Sequence, residues 1–412
     1  MMSNPELLPH LFRTEYRKIV SVLSRYFGLE HLEIAEDIAS DTFLTAADTW
    51  GLRGVPDNPV AWLHTVARNK ARDQLKRNTV FEQKISKILA YSESEVIHLP
   101  EIDLSEQNIQ DSQLQMMFAI CQPVIPPEAQ VGLALRILCG FGIDEIADAF
   151  LSNKDTINKR LFRAKEKLRE LHVKIDFPSA GEINKRLQPV LTTLYLLFNE
   201  GYYSASQNSV LRKDLCLEAM RLTFMLISNA QTNLPSVNAL MALMCFHSSR
   251  FDARIDENGE IIRYDEQDTR LWNTELIQMG EYYLNLASSG EEISKYHLEA
   301  GIAYWHTIKT DSLLKWDNIL QLYNRLLIVE YSPVSALNRT YALAKVKGNA
   351  AAIMEAEKLE LHQNHLYHVL LGYLYIDIDN EKAVIHLQTA LKQAKTKTEK
   401  SRIMKDISRL TV

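Results

Sequence analysis

The sequence predicts an all-α protein, and three observations carry that reading. Gly and Pro number only 14 and 12 in 412 residues, too few for the many tight turns of a β-sandwich or barrel. Apolar residues recur three and four positions apart through most of the chain, the spacing of one helix face. Hydrophobic residues make up 46% and charged residues 24%, enough apolar surface for packed cores and too much for wholesale disorder. No apolar run reaches the roughly 18 residues of a membrane-spanning helix. The opening MMSNPELLPHLFRTEYRK lacks a basic stretch followed by an apolar one, so a cytoplasmic protein without membrane contact is expected. A net charge of −6 excludes a general polyanion binder and confines any nucleic-acid site to a local patch. Cys121, Cys139, Cys216 and Cys245 lie far apart among apolar neighbours, which predicts buried free thiols; no metal and no cofactor are expected.

Residues 11–50 carry apolar positions at helical spacing (Val22, Tyr26 and Leu29; Ile34, Ile38 and Phe43). The segment EDIASDTFL mixes acids with a hydrophobic stripe, an ordinary amphipathic helix that also suits a basic partner helix. In GLRGVPDNPVAWLHTVARNKARDQLKR, Pro59 fits a first helical position, with Asn58 or Asp57 as its cap. Leu63, Ala67, Ala71 and Leu75 then form a buried row, and Arg68, Arg72 and Lys76 a cationic one, widened by Lys70 and Arg77. Cations one helical turn apart match successive backbone phosphates, although a charged row is also simply how a helix meets water.

From Lys87 to Arg136 there is no intervening Lys or Arg, while Glu93, Glu95, Glu101, Asp103, Glu106, Asp111 and Glu128 fall inside that stretch. YSESEVIHLPEIDLSEQ has no sustained period and reads as an acidic flexible linker over residues 79–110. It separates a first module, 1–78, from a second, 111–172. In the second, Leu114, Met117, Phe118 and Cys121 predict one helix, and Pro126–Pro127 open another. GIDEIADAFLSNKDTINKRLFRAKEKLRE then reads as a short helix, a tight break at 151–153 and a longer basic helix with Ile157, Leu161, Ala164 and Leu168 inward. Ser152 followed by Asp155 predicts a capping box. This is the pattern of a helix-turn-helix, whose second helix enters the major groove. Side chains near its start meet base edges, and Arg160, Arg163, Lys167 and Arg169 meet phosphates. After FPSAGE at 177–182 a long series of helical patterns fills 183–412.

Here the motifs support a resemblance. EDIASDTFLTAADTW with NPVAWLHTVARNKARDQLKR resembles domain 2 of bacterial sigma-70 factors of the extracytoplasmic-function (ECF) group. SQLQMMFAICQPVIPPEAQVGLALRILCGFGIDEIADAFLSNKDTINKRLFRAKEKLRE resembles their domain 4. LFNEGYYSASQNSVLRKDLCLEAMRL, ALMALMCFHSSRFDARIDENGEIIRYDEQDTRLWN and SPVSALNRTYALAKVKGN resemble the C-terminal extension of one branch of that group, ending in TPR-like repeats. Gly372, Ala383 and Ala390 echo the small packing positions of such a repeat. Ser40 stands where the domain 2 pattern usually has Gln, and Lys347-Gly348-Asn349 where the extension usually has Asp-Gly-Pro.

The resemblance implies a sigma factor that binds core RNA polymerase and directs it to promoter DNA, with a regulatory protein or peptide as a partner of the helical extension. It assigns Asp37, Asp41, Phe43 and Leu44 to polymerase binding. The −10 element falls to Asp57, Asn58, Trp62, Arg68, Asn69, Arg72, Lys76 and Arg77. Trp62 either stacks on a base or anchors its helix in the core. The −35 element falls to Lys154, Asp155, Thr156, Asn158, Lys159 and Arg163. The acidic linker would then mimic RNA in a cationic polymerase channel. The rival readings are weaker. An acidic stretch (Asp252, Asp256, Glu257, Glu260, Asp265, Glu266, Asp268) beside Tyr264, and Glu200 near Tyr202–Tyr203, suggest metal or acid–base chemistry. No HExxH, P-loop or Gly-rich phosphate motif accompanies them, so no enzyme is expected. A helical adaptor with vestigial DNA binding is the alternative; the caps and cationic faces of both N-terminal modules count against it.

Overall fold

The computed structural model describes residues 4–89, 101–150, 152–202, 212–254, 262, 264–394 and 397–410, and its regular elements are all helical. Two compact units divide the chain, Met1–Leu196 and Leu197–Val412.

The first unit is built from α1 (Asn4–Phe27), α2 (Leu32–Arg53), α3 (Pro59–Leu89), α4 (Glu106–Ile120), α5 (Pro127–Leu133), α6 (Ile143–Ala149), α7 (Lys154–Glu170) and the start of α8 (Ile183–Tyr202). Helix α1 is its hub. Ile19, Val20, Val22 and Leu23 are fully buried, more than one helix face supplies. Accordingly α1 packs against α2, α3, α4 and a π turn, Ala134–Leu138, that follows α5. Two glycines shape the connections: Gly28 at φ +78° and Gly54 at φ +82° take a conformation that L side chains rarely adopt, and each flanks α2. In α3, Leu63, Ala67 and Ala71 are fully buried as the four-residue spacing predicts.

Three expectations are corrected. The linker expected through residue 110 is anchored from residue 101 onward. Ile102 and Leu104 are buried, the Tyr26 hydroxyl donates to the Glu101 carbonyl at 2.9 Å, and α4 begins at Glu106. Two apolar side chains in a short extended segment leave no helical period to detect. Residues 90–100, with Glu93 and Glu95, lie outside the described residues. The cap of α7 is Asn153 rather than Ser152: its side chain accepts from the Thr156 N–H at 2.8 Å. Finally, the first unit ends inside α8 rather than before it. Phe177 meets Phe118 edge-on at 5.5 Å, Arg186 donates to the Phe118 carbonyl at 3.1 Å, and the Thr193 hydroxyl donates to Gln130 Oε1 at 2.9 Å. An unbroken helix carries no change of composition at the point where its packing partners change.

Burial at the heart of this unit includes a carboxylate. Glu15 is 4% exposed and is held by His64 at 3.0 Å and Lys18 at 2.7 Å. Burial pushes its pKa up, but the hydrogen bonds from His64 and Lys18 outweigh this and hold it below the usual carboxylate range. A depressed folded-state pKa stabilises the fold above the unfolded value and loses that contribution as pH falls through the folded one. The stability of the wild-type chain is therefore expected to fall below about pH 4.3, the ordinary Glu value. E15Q should flatten that part of the acid limb in a thermal-melt series; an unchanged limb would refute the assignment.

The second unit continues with α9 (Lys213–Ser228), α10 (Pro235–Ser248), α11 (Thr274–Ala287), α12 (Lys295–Thr307), α13 (Leu313–Val329), α14 (Pro333–Lys347), α15 (Asn349–Glu357), α16 (His365–Tyr375), α17 (Asn380–Gln393) and α18 (Lys397–Leu410). Helices adjacent in sequence pack on one another, most closely α10 on α11, α13 on α14 and α16 on α17. Small residues set the closeness. A Cβ at Gly280 of α11 would lie 2.5 Å from Cε1 of the fully buried Phe246 ring. G280A is expected to cost about 1–3 kcal/mol through overpacking, partly offset by about 1 kcal/mol of helix propensity. A melt no lower than wild type would show that the two helices can part without cost.

Candidate polymerase and promoter interfaces

Helix α2 presents one polar face. Asp37 and Asp41 are exposed on it, and Leu44 is 64% exposed, so all three are available to a partner. Phe43 is not. It is 5% exposed and packs edge-on against Phe12 at 5.0 Å, which removes it from the polymerase-binding set. It follows Ala39 by one turn on the face that α2 buries, with Ala35, Ala39, Ala46 and Trp50. Asp41 also lies 3.9 Å from the Lys70 ammonium of α3.

The −10 candidates fall into two groups. Asn69, Arg72, Lys76 and Arg77 stand exposed along α3, and Asp57 is exposed before it. The other three have structural duties. Asn58 caps α3, accepting from the Ala61 N–H at 3.0 Å. Trp62 meets Trp50 edge-on at 5.4 Å and is half-buried. Arg68 is half-buried and donates from Nε to the Ile102 carbonyl at 3.1 Å, tying residues 101–103 to α3. The cationic row of α3 therefore offers exposed charge at 72, 76 and 77 rather than from 68 onward.

On α7 the separation of faces is clean. Ile157, Leu161, Ala164 and Leu168 are buried, whereas Lys154, Asp155, Thr156, Asn158, Lys159 and Arg163 are all exposed. Lys154 pairs with Asp144 of α6 at 2.6 Å, both largely in water. Arg160 is half-buried, its guanidinium 5.6 Å from the Phe150 ring. Arg169, read from sequence as a phosphate contact, is paired with Glu33 at 3.1 Å and with Glu166. Sequence reasoning also missed Glu36. It accepts from Arg136 at 3.3 Å and from Lys165 at 2.7 Å, joining α2 to the π turn and to α7. No local signal marks these pairs, whose members lie 100 and 129 positions apart in the chain.

An acidic and apolar face on α2, exposed cations along α3 and a capped basic helix at α7 thus lie in one unit. Residues 11–80 match sigma-70 region 2. The chain thus carries a sigma-70 region 2 domain. Such a domain supports a sigma factor role in transcription initiation and implies binding to core RNA polymerase and promoter DNA. Residues 186–288 match a family of unknown function, DUF6596. An uncharacterized protein of Rhizobium meliloti (strain 1021) is 32% identical over 362 residues, covering 86% of this chain and 84% of the relative. The similarity to that relative therefore runs well beyond region 2. No solved structure matches the chain. Among the described residues no helix is long and apolar enough to cross a membrane, and no group of His, Cys, Asp and Glu is placed to hold a metal. All four cysteines are buried, and burial raises the thiols of Cys121, Cys216 and Cys245 to about 12, where the nucleophilic thiolate is absent.

Proposed function

We propose that this chain is a sigma factor of the ECF type: α2 docks on the polymerase through Asp37, Asp41 and Leu44, α3 holds the −10 element, and α6–α7 read the −35 element as a helix-turn-helix. The observation that carries this reading is the exposed polar face of α7, with its three cations and Asn158, opposite a fully apolar buried face. Such a helix presents base-reading side chains at its start and phosphate contacts further along. The exposed cations of α3 suit an unpaired strand held largely through its backbone.

The second unit, in this reading, is a TPR-like regulatory module and the chain has no catalytic activity. Its support is the close approach of α16 and α17: a Cβ at Gly372 would lie 2.7 Å from Leu387, and Ala383 and Ala390 are fully buried. Small residues at those positions allow helix pairs to stack into an array that binds peptides. The acids that suggested a site in the sequence are in part tied up: Asp252 pairs with Lys213 at 2.5 Å, Asp268 with Arg270 at 2.7 Å and Glu266 with Arg402 at 2.8 Å. Asp256, Glu257 and Glu260 lie outside the described residues.

Run-off transcription with core polymerase tests the reading, using genomic templates that include the upstream region of the gene itself. Specific transcripts that depend on this chain are expected. Core binding without any transcript would make it an adaptor, and no core binding would end the initiation reading.

A further inference from the structure

A second site lies within the Leu197–Val412 unit. Its centre is Tyr264, whose hydroxyl donates to the His306 carbonyl at 2.9 Å and accepts from the Lys315 ammonium at 2.8 Å. Lys315, in the first turn of α13, is 1% exposed and also donates to the Ile308 carbonyl at 2.7 Å. Arg250, just after α10, is 8% exposed, with its guanidinium 5.5 Å from the centre of the Tyr264 ring. Two buried cations therefore share one phenol ring. Neither forms an ion pair with a carboxylate among the described residues. Asp311, the acid whose field reaches Lys315, is exposed and accepts from the indole of Trp316.

Around the same ring several buried polar atoms have no hydrogen-bond partner among the described residues: Nε of Arg250, Nε1 of Trp272 and Nδ1 of His306. Trp272 stacks at 6.2 Å from Tyr264, and His306 meets it edge-on at 4.9 Å. Burial, and then the charges of Arg250 and Lys315, lower the His306 pKa to about 3, so its ring is neutral at physiological pH. A neutral imidazole can hold a proton at Nδ1 and donate it. Leaving an N–H donor buried and unpaired is unfavourable, more so when it is charged. Buried cations are normally paired with an acid or satisfied by acceptors. Here the Arg250 guanidinium has a ring face, and its Nε has no acceptor among the described residues.

We propose that Arg250, Lys315, Trp272 and His306 form an anion site that takes one oxyanion group, a carboxylate or a phosphate, of a small acidic ligand. The donor set matches that chemistry. A guanidinium and an ammonium supply charge, and an indole N–H and an imidazole N–H supply directed neutral donors. The aromatic walls of Tyr264, Trp272 and Trp316 lower the local dielectric, which strengthens each contact to an anion. Nothing in the promoter and polymerase reading uses these residues, so the site stands or falls separately from it.

The test uses the full chain and two probes, inorganic phosphate and acetate, titrated against sodium chloride at matched ionic strength. Intrinsic tryptophan fluorescence and thermal midpoint are both read. A saturable change with at least one probe is expected, and the probe that saturates at lower concentration tells phosphate from carboxylate. R250M and K315M should each weaken that saturation at least tenfold. If R250M does not fold, R250K and K315M serve in its place, and R250K should keep part of the binding. The proposal is overturned if neither probe saturates in the wild-type chain. It is equally overturned if the saturation is the same in the Arg250 and Lys315 variants.

Discussion

Replacing Lys159 and Arg163 together by alanine is expected to abolish transcription from −35-dependent promoters while leaving core polymerase binding intact. Both side chains are exposed on the polar face of α7, and the four residues that pack this helix are on the other side. The double substitution should therefore leave the fold alone. A specific base contact by Lys159 is worth about 1–3 kcal/mol of discrimination, so its loss alone weakens promoter affinity by about 5- to 150-fold, and the lost phosphate contact of Arg163 adds to that. Lost phosphate contacts instead lower the slope of log affinity against log salt by about one unit each. A salt series of promoter binding thus separates the two roles: unchanged slope with relaxed sequence preference marks a base reader, and reduced slope with uniform weakening marks a phosphate contact. Wild-type promoter affinity in the double variant would remove α7 from the −35 assignment.

A second large effect is expected at Glu36, and it is one of stability. Its side chain is 13% exposed and accepts from Arg136, 24% exposed, and Lys165, 15% exposed. E36A leaves two mostly buried cations without their acid. Arg136 keeps the Phe141 carbonyl at 3.2 Å, while no other acceptor is seen for Lys165 among the described residues. Breaking a buried pair in this way costs about 3–5 kcal/mol, and the partial exposure here brings the expected loss to about 2–4 kcal/mol. E36Q, which keeps an acceptor oxygen and loses the charge, should fall between. Replacing Glu36, Arg136 and Lys165 together by methionine should recover most of the loss, because no charge is then left unpaired. Denaturant unfolding measures all three, and an E36A midpoint equal to wild type would show that α2 and α7 do not depend on this clasp.

The polar face of α7 and the clasp at Glu36 differ in how far the chain alone dictates them. The two faces of α7 follow from a spacing of three and four residues, which any helix imposes on its own side chains. The same rule yields the buried row Leu63, Ala67 and Ala71, and the poverty of Gly and Pro yields the helical class. Phe43 was misplaced because its assignment came from the resemblance, not from the buried face of α2 that its spacing from Ala39 and Ala46 defines. Ile102 and Leu104 were missed because an extended segment of two apolar residues has no period. Helical content, the apolar face of each helix and the exposed cations of α3 and α7 were thus determined by the sequence itself, since they depend on neighbours within one or two turns. The pairing of Glu36 with Arg136 and Lys165, the anchoring of Arg68 on Ile102 and the gathering of Arg250, Lys315 and His306 around Tyr264 were decided only by tertiary structure. Those contacts join residues tens to more than a hundred positions apart, and their geometry is set by how whole helices pack, which no local pattern encodes.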